Sequence, residues 1–221
     1  MKILEKILFY GLILVLFVPL MIGDSLVFPF VTTKAYIFYG LIDILLLVYL
    51  FVLTKKPLYP QKNKLFLFFI ILTILGILLD FFGLSFKNSF WGNYERMMGV
   101  YTSLHFLVYL WLLLSVFNTK EKYFKLFKIS AVVNFLVIIY SFLQKFKVNF
   151  FGMVNLNDDR IPATFGNPAY LAGWILLSLF LSIYLLIKTT NKYWRVFYIC
   201  LIVLDIAILF WTATRGALAP L

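Results

Sequence analysis

The sequence predicts an all-α, polytopic membrane protein with about seven spanning helices and a cytoplasmic N-terminus. Three observations predict it. Apolar residues make up 64% of the 221 positions and charged residues only 13%, whereas soluble globular chains run at roughly 45–50% and about 25%. Mean hydropathy is +1.00. Several apolar runs approach or reach the length, about 20 residues, that a helix needs to cross roughly 30 Å of hydrocarbon. The alternating pattern of a transmembrane β-barrel is absent. Residues 1–221 read as one transmembrane domain.

The spans are expected at 7–23, 35–54, 65–83, 100–117, 128–145, 168–187 and 195–213. The first follows Lys2 and Lys6 and superficially resembles a signal peptide. The stretch after it, "MIGDSLVF", has no small-x-small cleavage site, so it reads as a spanning helix. Lys-rich connections, "TKKPLYPQKNK" and "NTKEKYFKLFK", separate spans two from three and four from five. Basic residues set the orientation. With the N-terminus inside, 13 of the 20 Lys and Arg fall on inner segments and 7 on outer ones, the bias of cytoplasmic loops. Three of the four arginines, Arg96, Arg160 and Arg215, fall outside.

The net charge of +11 therefore points to anionic lipid headgroups, not to nucleic acid. One cysteine, Cys200, and one histidine, His105, cannot build a multi-His/Cys metal site. Neither a G-x-x-x-x-G-K-[ST] loop nor a Rossmann glycine pattern is present, so no cofactor is expected.

Three outer stretches gather polar chemistry. "FKNSFWGNYERMMG", residues 86–99, carries Trp91 and Tyr94 at the headgroup level and an adjacent Glu95–Arg96 pair. It reads either as an interfacial belt or as an anion contact by Arg96 oriented by Glu95. "DDRIPATFGNPAYLAGW", residues 158–174, sets Arg160 beside Asp158 and Asp159. Asn167 is a good N-cap and Pro168 a good first helical residue, so a span starts there with its backbone N–H groups unpaired. Gly166 permits a tight turn or close approach of a ligand. Arginine, helix amides and glycine together fit either a phosphate cradle or a capped helix with a local salt bridge. "WTATRGALAPL", residues 211–221, sets Arg215 after Thr214 at the outer end of the last span. An ionisable group at that depth is paired, functional or snorkelling. Guanidinium grips phosphate bidentately and stays charged, so arginines on one face point to an anionic headgroup there.

Asp43 and Asp205 lie inside spans two and seven. They read as interhelical hydrogen-bond partners ahead of proton relays. Asn134, Ser130 and Ser141 read as helix–helix polar contacts, and His105 as a packing residue. The chain stops in an apolar segment with no polar tail, and is expected to be the N-terminal part of a longer protein.

Three of these stretches also carry a resemblance. "RIPATFGNPAYLAGWILL" resembles the R-x-x-G/A-T-F-G-N-P-N-x-L-A motif of the O-antigen ligase and O-antigen polymerase superfamily. "TATRGALA" resembles that family's T-x-S-R-G-A-x-L motif, and "SFWGNYERMMGV" its aromatic loop with E-R-x-x-G. The resemblance implies a metal-independent, inverting glycosyltransferase of the GT-C type. Such an enzyme takes a glycan from an undecaprenyl-pyrophosphate carrier at the periplasmic or outer face of the bacterial cytoplasmic membrane. The acceptor is a glycan, lipid or protein. By the same resemblance, Arg215 and Arg160 are catalytic and hold the pyrophosphate. Arg96, Glu95, Asn167, Thr214 and Gly166 contribute to substrate binding. Two positions depart from the pattern: Thr214 replaces a serine, and Ala169 replaces the second asparagine of N-P-N. The family's large outer loop would follow residue 221. The alternative reading is a secondary transporter or flippase for an anionic amphiphile, coupled through Asp43 and Asp205.

Overall fold

The computed structural model describes residues 2–23, 26–60, 63–83, 85–148, 160–214 and 216. Those residues form helices joined by turns and loops, with no strand among them. The elements run α1 (Lys2–Leu14), a 3₁₀ segment (Val15–Leu20), α2 (Thr32–Leu53), α3 (Lys64–Phe81) and a short α4 (Phe86–Trp91). Then come α5 (Val100–Val116), α6 (Lys120–Lys145), a 3₁₀ turn (Ala163–Phe165), α7 (Pro168–Lys188) and α8 (Lys192–Thr212).

Five helical stretches are long and apolar enough to cross a membrane: Lys2–Leu20, Thr32–Leu53, Lys120–Lys145, Pro168–Lys188 and Lys192–Thr212. The expected third and fourth spans form α3, Lys64–Phe81, and α5, Val100–Val116, close to the bounds read from the sequence. The third helix ends at Phe81, and Ser85 then caps α4 by accepting from the Asn88 N–H at 3.5 Å. After α4, α5 begins at Val100, the expected start, and runs 17 residues, about 25 Å at the helical rise. In the first span Pro19, which has no N–H to donate, lies in a 3₁₀ segment rather than in the α-helix.

The chain divides into two compact units, Met1–Val18 with Ser25–Tyr123, and Pro19–Asp24 with Phe124–Leu221. In the first, α1, α2 and α5 pack on one another, and α3 and α4 pack on α5. Leu8, Leu12, Ile42, Val52 and Leu112 are its most buried aliphatic residues. Gly11 lets α1 approach α2, since a Cβ there would run into the Leu45 side chain. Small residues serve this purpose between membrane helices. Polar ties cross the same helices: Trp111 Nε1 donates to Tyr49 Oη at 3.0 Å, and Tyr49 Oη lies 3.3 Å from Ser115 Oγ. Lys56 and Glu5 form an ion pair at 3.0 Å. Both are exposed, so this pair contributes little to stability.

The second unit is built on the α7–α8 hairpin. Its buried core includes Leu171, Ile175, Leu179, Tyr198, Leu201 and Ile208, joined from α6 by Ala131, Val137 and Ile138. Asn191 caps α8, its Oδ1 accepting from the Tyr193 and Trp194 N–H groups. One polar cluster lies within this apolar packing. Asn134 of α6 donates from Nδ2 to Asp205 Oδ1 of α8 at 2.8 Å, and accepts from Trp174 Nε1 of α7 at 3.1 Å. One amide thus ties three helices, an interhelical use of both Asn134 and Asp205.

Candidate functional site

The opening of α7 forms as its sequence dictates. Gly166 sits in the left-handed region at φ 69°, where glycine carries no steric cost. Asn167 then takes an extended conformation, and its Oδ1 accepts from the Ala169 N–H at 2.8 Å. Pro168 occupies the first helical turn. The carbonyl oxygen of Asn167 is therefore occupied by capping. Upstream, Gln144 at the end of α6 accepts from the Ala163 N–H at 2.9 Å. Ala163 has φ 46°, an uncommon conformation for a residue with a side chain. Ile161, Ala163 and Thr164 are buried beneath this turn.

Arg160 ties the start of this segment to the end of α8. Its Nε donates to the Thr212 carbonyl at 2.9 Å, and its Nη2 donates to Thr214 Oγ1 at 3.2 Å. The chemical reason lies in how α8 terminates. Ala213 adopts the left-handed conformation at φ 49° and ends the helix. The last carbonyls of a helix have no intrahelical partner and carry its negative dipole end. A guanidinium satisfies both needs at once. Thr214 Oγ1 in turn donates to the Thr212 carbonyl at 3.3 Å. Arg160 and Thr214, 54 positions apart, are thereby brought together. Arg215 itself, with Asp158 and Asp159, lies outside the described residues.

In the first unit, Glu95 and Arg96 are both exposed. No ion pair joins them among the described residues; of the two readings of this stretch, the orienting contact from Glu95 to Arg96 is not formed here. Their backbone is set by Asn93, whose carbonyl accepts from the Arg96 N–H at 2.9 Å and whose Oδ1 accepts from the Glu95 N–H at 3.2 Å. This turn stands on two glycines. Gly92 has φ 75°, and a Cβ on it would lie 2.7 Å from the Gly99 nitrogen.

Beneath that turn, His105 is buried and meets Asp43. Its Nδ1 lies 2.8 Å from the Tyr101 carbonyl and its Nε2 3.2 Å from Asp43 Oδ1. A carbonyl only accepts, so Nδ1 carries a proton. The Nε2···Oδ1 hydrogen bond then holds one further proton, on either atom. Both forms, imidazolium–carboxylate and imidazole–carboxylic acid, have zero net charge, which suits an apolar helix pair. His105 is the single histidine, so histidine-selective ¹⁵N labelling reads it directly. Nδ1 is expected to resonate as a protonated nitrogen in the wild type and in Asp43→Asn. An unprotonated Nδ1 in the wild type overturns this assignment.

The sequence reading placed His105 as a packing residue and Asp43 as a hydrogen-bond partner, without pairing them. It also passed over Gln144 and the Thr212 carbonyl. Gln144 offered one signal, a polar side chain at the end of an apolar run. No family model, curated protein or solved structure matches this chain.

Proposed function

We propose that this chain belongs to a membrane glycosyltransferase of the O-antigen ligase and polymerase kind, moving a glycan from an undecaprenyl-pyrophosphate carrier to a glycan, lipid or protein acceptor. In this reading seven helices span the bacterial cytoplasmic membrane with the N-terminus inside, α3 and α5 among them. The reaction takes place at the outer face, among membrane lipids and without nucleic acid. The observation that carries the proposal is the Arg160 bridge to Thr212 and Thr214. It unites the two segments whose sequences resemble the family's motifs, and it fixes the residue just before Arg215.

The chemistry follows from charge. Pyrophosphate leaves readily once its negative charge is neutralised, and the energy for transfer is already in the carrier linkage. The protein must position donor and acceptor and stabilise the charge that develops on the leaving group. Guanidinium groups beside low-dielectric lipid do this without proton bookkeeping. Arg160 holds the frame through Thr214, and Arg215 grips the pyrophosphate.

The test uses the full-length protein in cells lacking their own copy. Arg160→Ala and Arg215→Ala should stop glycan transfer and leave membrane insertion intact, with carrier-linked donor accumulating. Transfer at wild-type level by both variants sinks the proposal. The Asp43–His105 pair favours a second reading, proton-coupled transport of an anionic amphiphile. In that case Asp43→Asn abolishes uptake or flipping, and the arginine variants leave it unchanged.

A further inference from the structure

The first unit holds a concave pocket of about 420 Å³, lined by Tyr36, Tyr39, Trp91, Tyr94, Met97 and Tyr101 together with Gly92. Its size falls in the range of small-molecule sites, about 300–1,000 Å³. We infer that this pocket binds one neutral sugar ring, stacking the ring's C–H face on its aromatic walls. The further assignment of that ring to the carrier-linked glycan rests on the transfer reading above.

The lining chooses the ligand class. Five of the side chains are aromatic, and an aromatic face is electron-rich. The axial C–H bonds of a sugar ring present a slightly positive, flat surface that matches it. Four of the five are tyrosines, which add a hydroxyl to each flat wall and so suit a ligand that alternates C–H faces with hydroxyl edges. Among the described residues, no charged side chain lines the pocket. An anion finds no cation there, and a quaternary ammonium, which also stacks on aromatic faces, finds no carboxylate. An acyl chain fits aliphatic walls, and only Met97 supplies one.

The walls are also held in place before any ligand arrives. Trp91 and Tyr101 pack at 5.1 Å between centroids, and Tyr39 meets Tyr101 edge-on at 4.9 Å. Tyr39 Oη is fixed by Thr102 Oγ1 at 2.5 Å. His105 backs both tyrosines, at 4.7 Å from Tyr39 and 4.3 Å from Tyr101. The opposite side stays open: Trp91 is 53% exposed, Tyr36 50% and Tyr94 44%. Fixed walls with an accessible mouth reduce the ordering cost of binding.

The experiment labels the full-length protein in lipid nanodiscs with 5-fluorotryptophan and assigns the Trp91 resonance by its loss in Trp91→Phe. N-acetylglucosamine and galactose are titrated to about 100 mM, because one stacked ring gives millimolar affinity. A saturable shift of the Trp91 signal by either sugar is the expected result. Tyr94→Ala and Tyr36→Ala, which leave the reporter in place, should each weaken it about two- to tenfold, the order of one lost aromatic contact. No saturable shift, a shift by tetramethylammonium chloride alone, or undiminished binding by both tyrosine variants overturns the inference. Each variant's fold is checked by its remaining tryptophan signals. The outcome is separable from the transfer test. Sugar binding with normal transfer by Arg160→Ala and Arg215→Ala removes the transfer reading and leaves the pocket, and the opposite pattern removes the pocket alone.

Discussion

Arg160→Ala is expected to lower glycan transfer by at least about 100-fold, and Arg215→Ala by as much or more. A hundredfold corresponds to about 2.7 kcal/mol of transition-state stabilisation, the scale on which enzymes lose a single preorganised electrostatic contact. For Arg160 the loss arises indirectly. Removing the guanidinium leaves the Thr212 carbonyl at the negative end of α8 without its cation and takes one of two hydrogen bonds from Thr214 Oγ1. On the transfer reading, this loosens Thr214, the residue that precedes Arg215 in sequence. Arg160→Lys discriminates between roles. One ammonium restores the charge but not the fork that reaches a carbonyl and a hydroxyl at once, so partial rescue is expected. The measurement is transfer rate against donor concentration in membranes with matched protein levels. For Arg160, a loss confined to KM would mean donor binding alone was weakened; a loss in kcat is what a misplaced Arg215 requires.

Gly99→Val should dismantle the turn between α4 and α5. Gly99 has φ −117° and ψ −177°, a conformation open to any residue, so space and not backbone freedom demands glycine. A Cβ at that position would lie 2.6 Å from the Trp91 carbonyl carbon, and the Gly92 nitrogen is also against it. These neighbours are backbone, which cannot rotate away. Overpacking of this kind costs about 1–3 kcal/mol and occasionally more, and a branched side chain against two backbone segments belongs at the upper end. The expected readouts are a lowered thermal midpoint, faster proteolysis within residues 86–99 and a displaced Trp91 fluorine signal. Met98→Ala is the control, because Met98 is 76% exposed. A Gly99→Val protein with wild-type midpoint and wild-type Trp91 signal contradicts the back-to-back glycine geometry.

Some of this structure was legible because its rules are local. Asn167–Pro168 marks a helix start by side-chain chemistry within three residues, and α7 begins there. Long apolar runs marked helices α1, α2, α6, α7 and α8 because a chain in hydrocarbon must satisfy its backbone internally. They also placed α3 and α5 closely. They did not reveal the short α4 between them, which Ser85 caps and Gly92 ends. The ties across the fold were also hidden. Nothing in the spacing couples Asp43 to His105, 62 positions away, or Arg160 to the Thr212 carbonyl. That second partner is a backbone oxygen, which every residue possesses, and it is available only because Ala213 turns the chain out of the helix. Glu95 and Arg96 show the converse: adjacency in sequence left an ion pair open as one reading, but consecutive residues on a tight turn have no reason to face each other.

The Arg160 bridge also constrains the order of manufacture. Its acceptor, the Thr212 carbonyl, is made 52 residues after Arg160, about 3–10 s later at ordinary elongation rates. Until α8 has arrived, the segment around Arg160 waits without its counterpart. A chain stalled or cleaved before residue 212 therefore carries every residue of the first motif and still lacks the carbonyl that Arg160 binds.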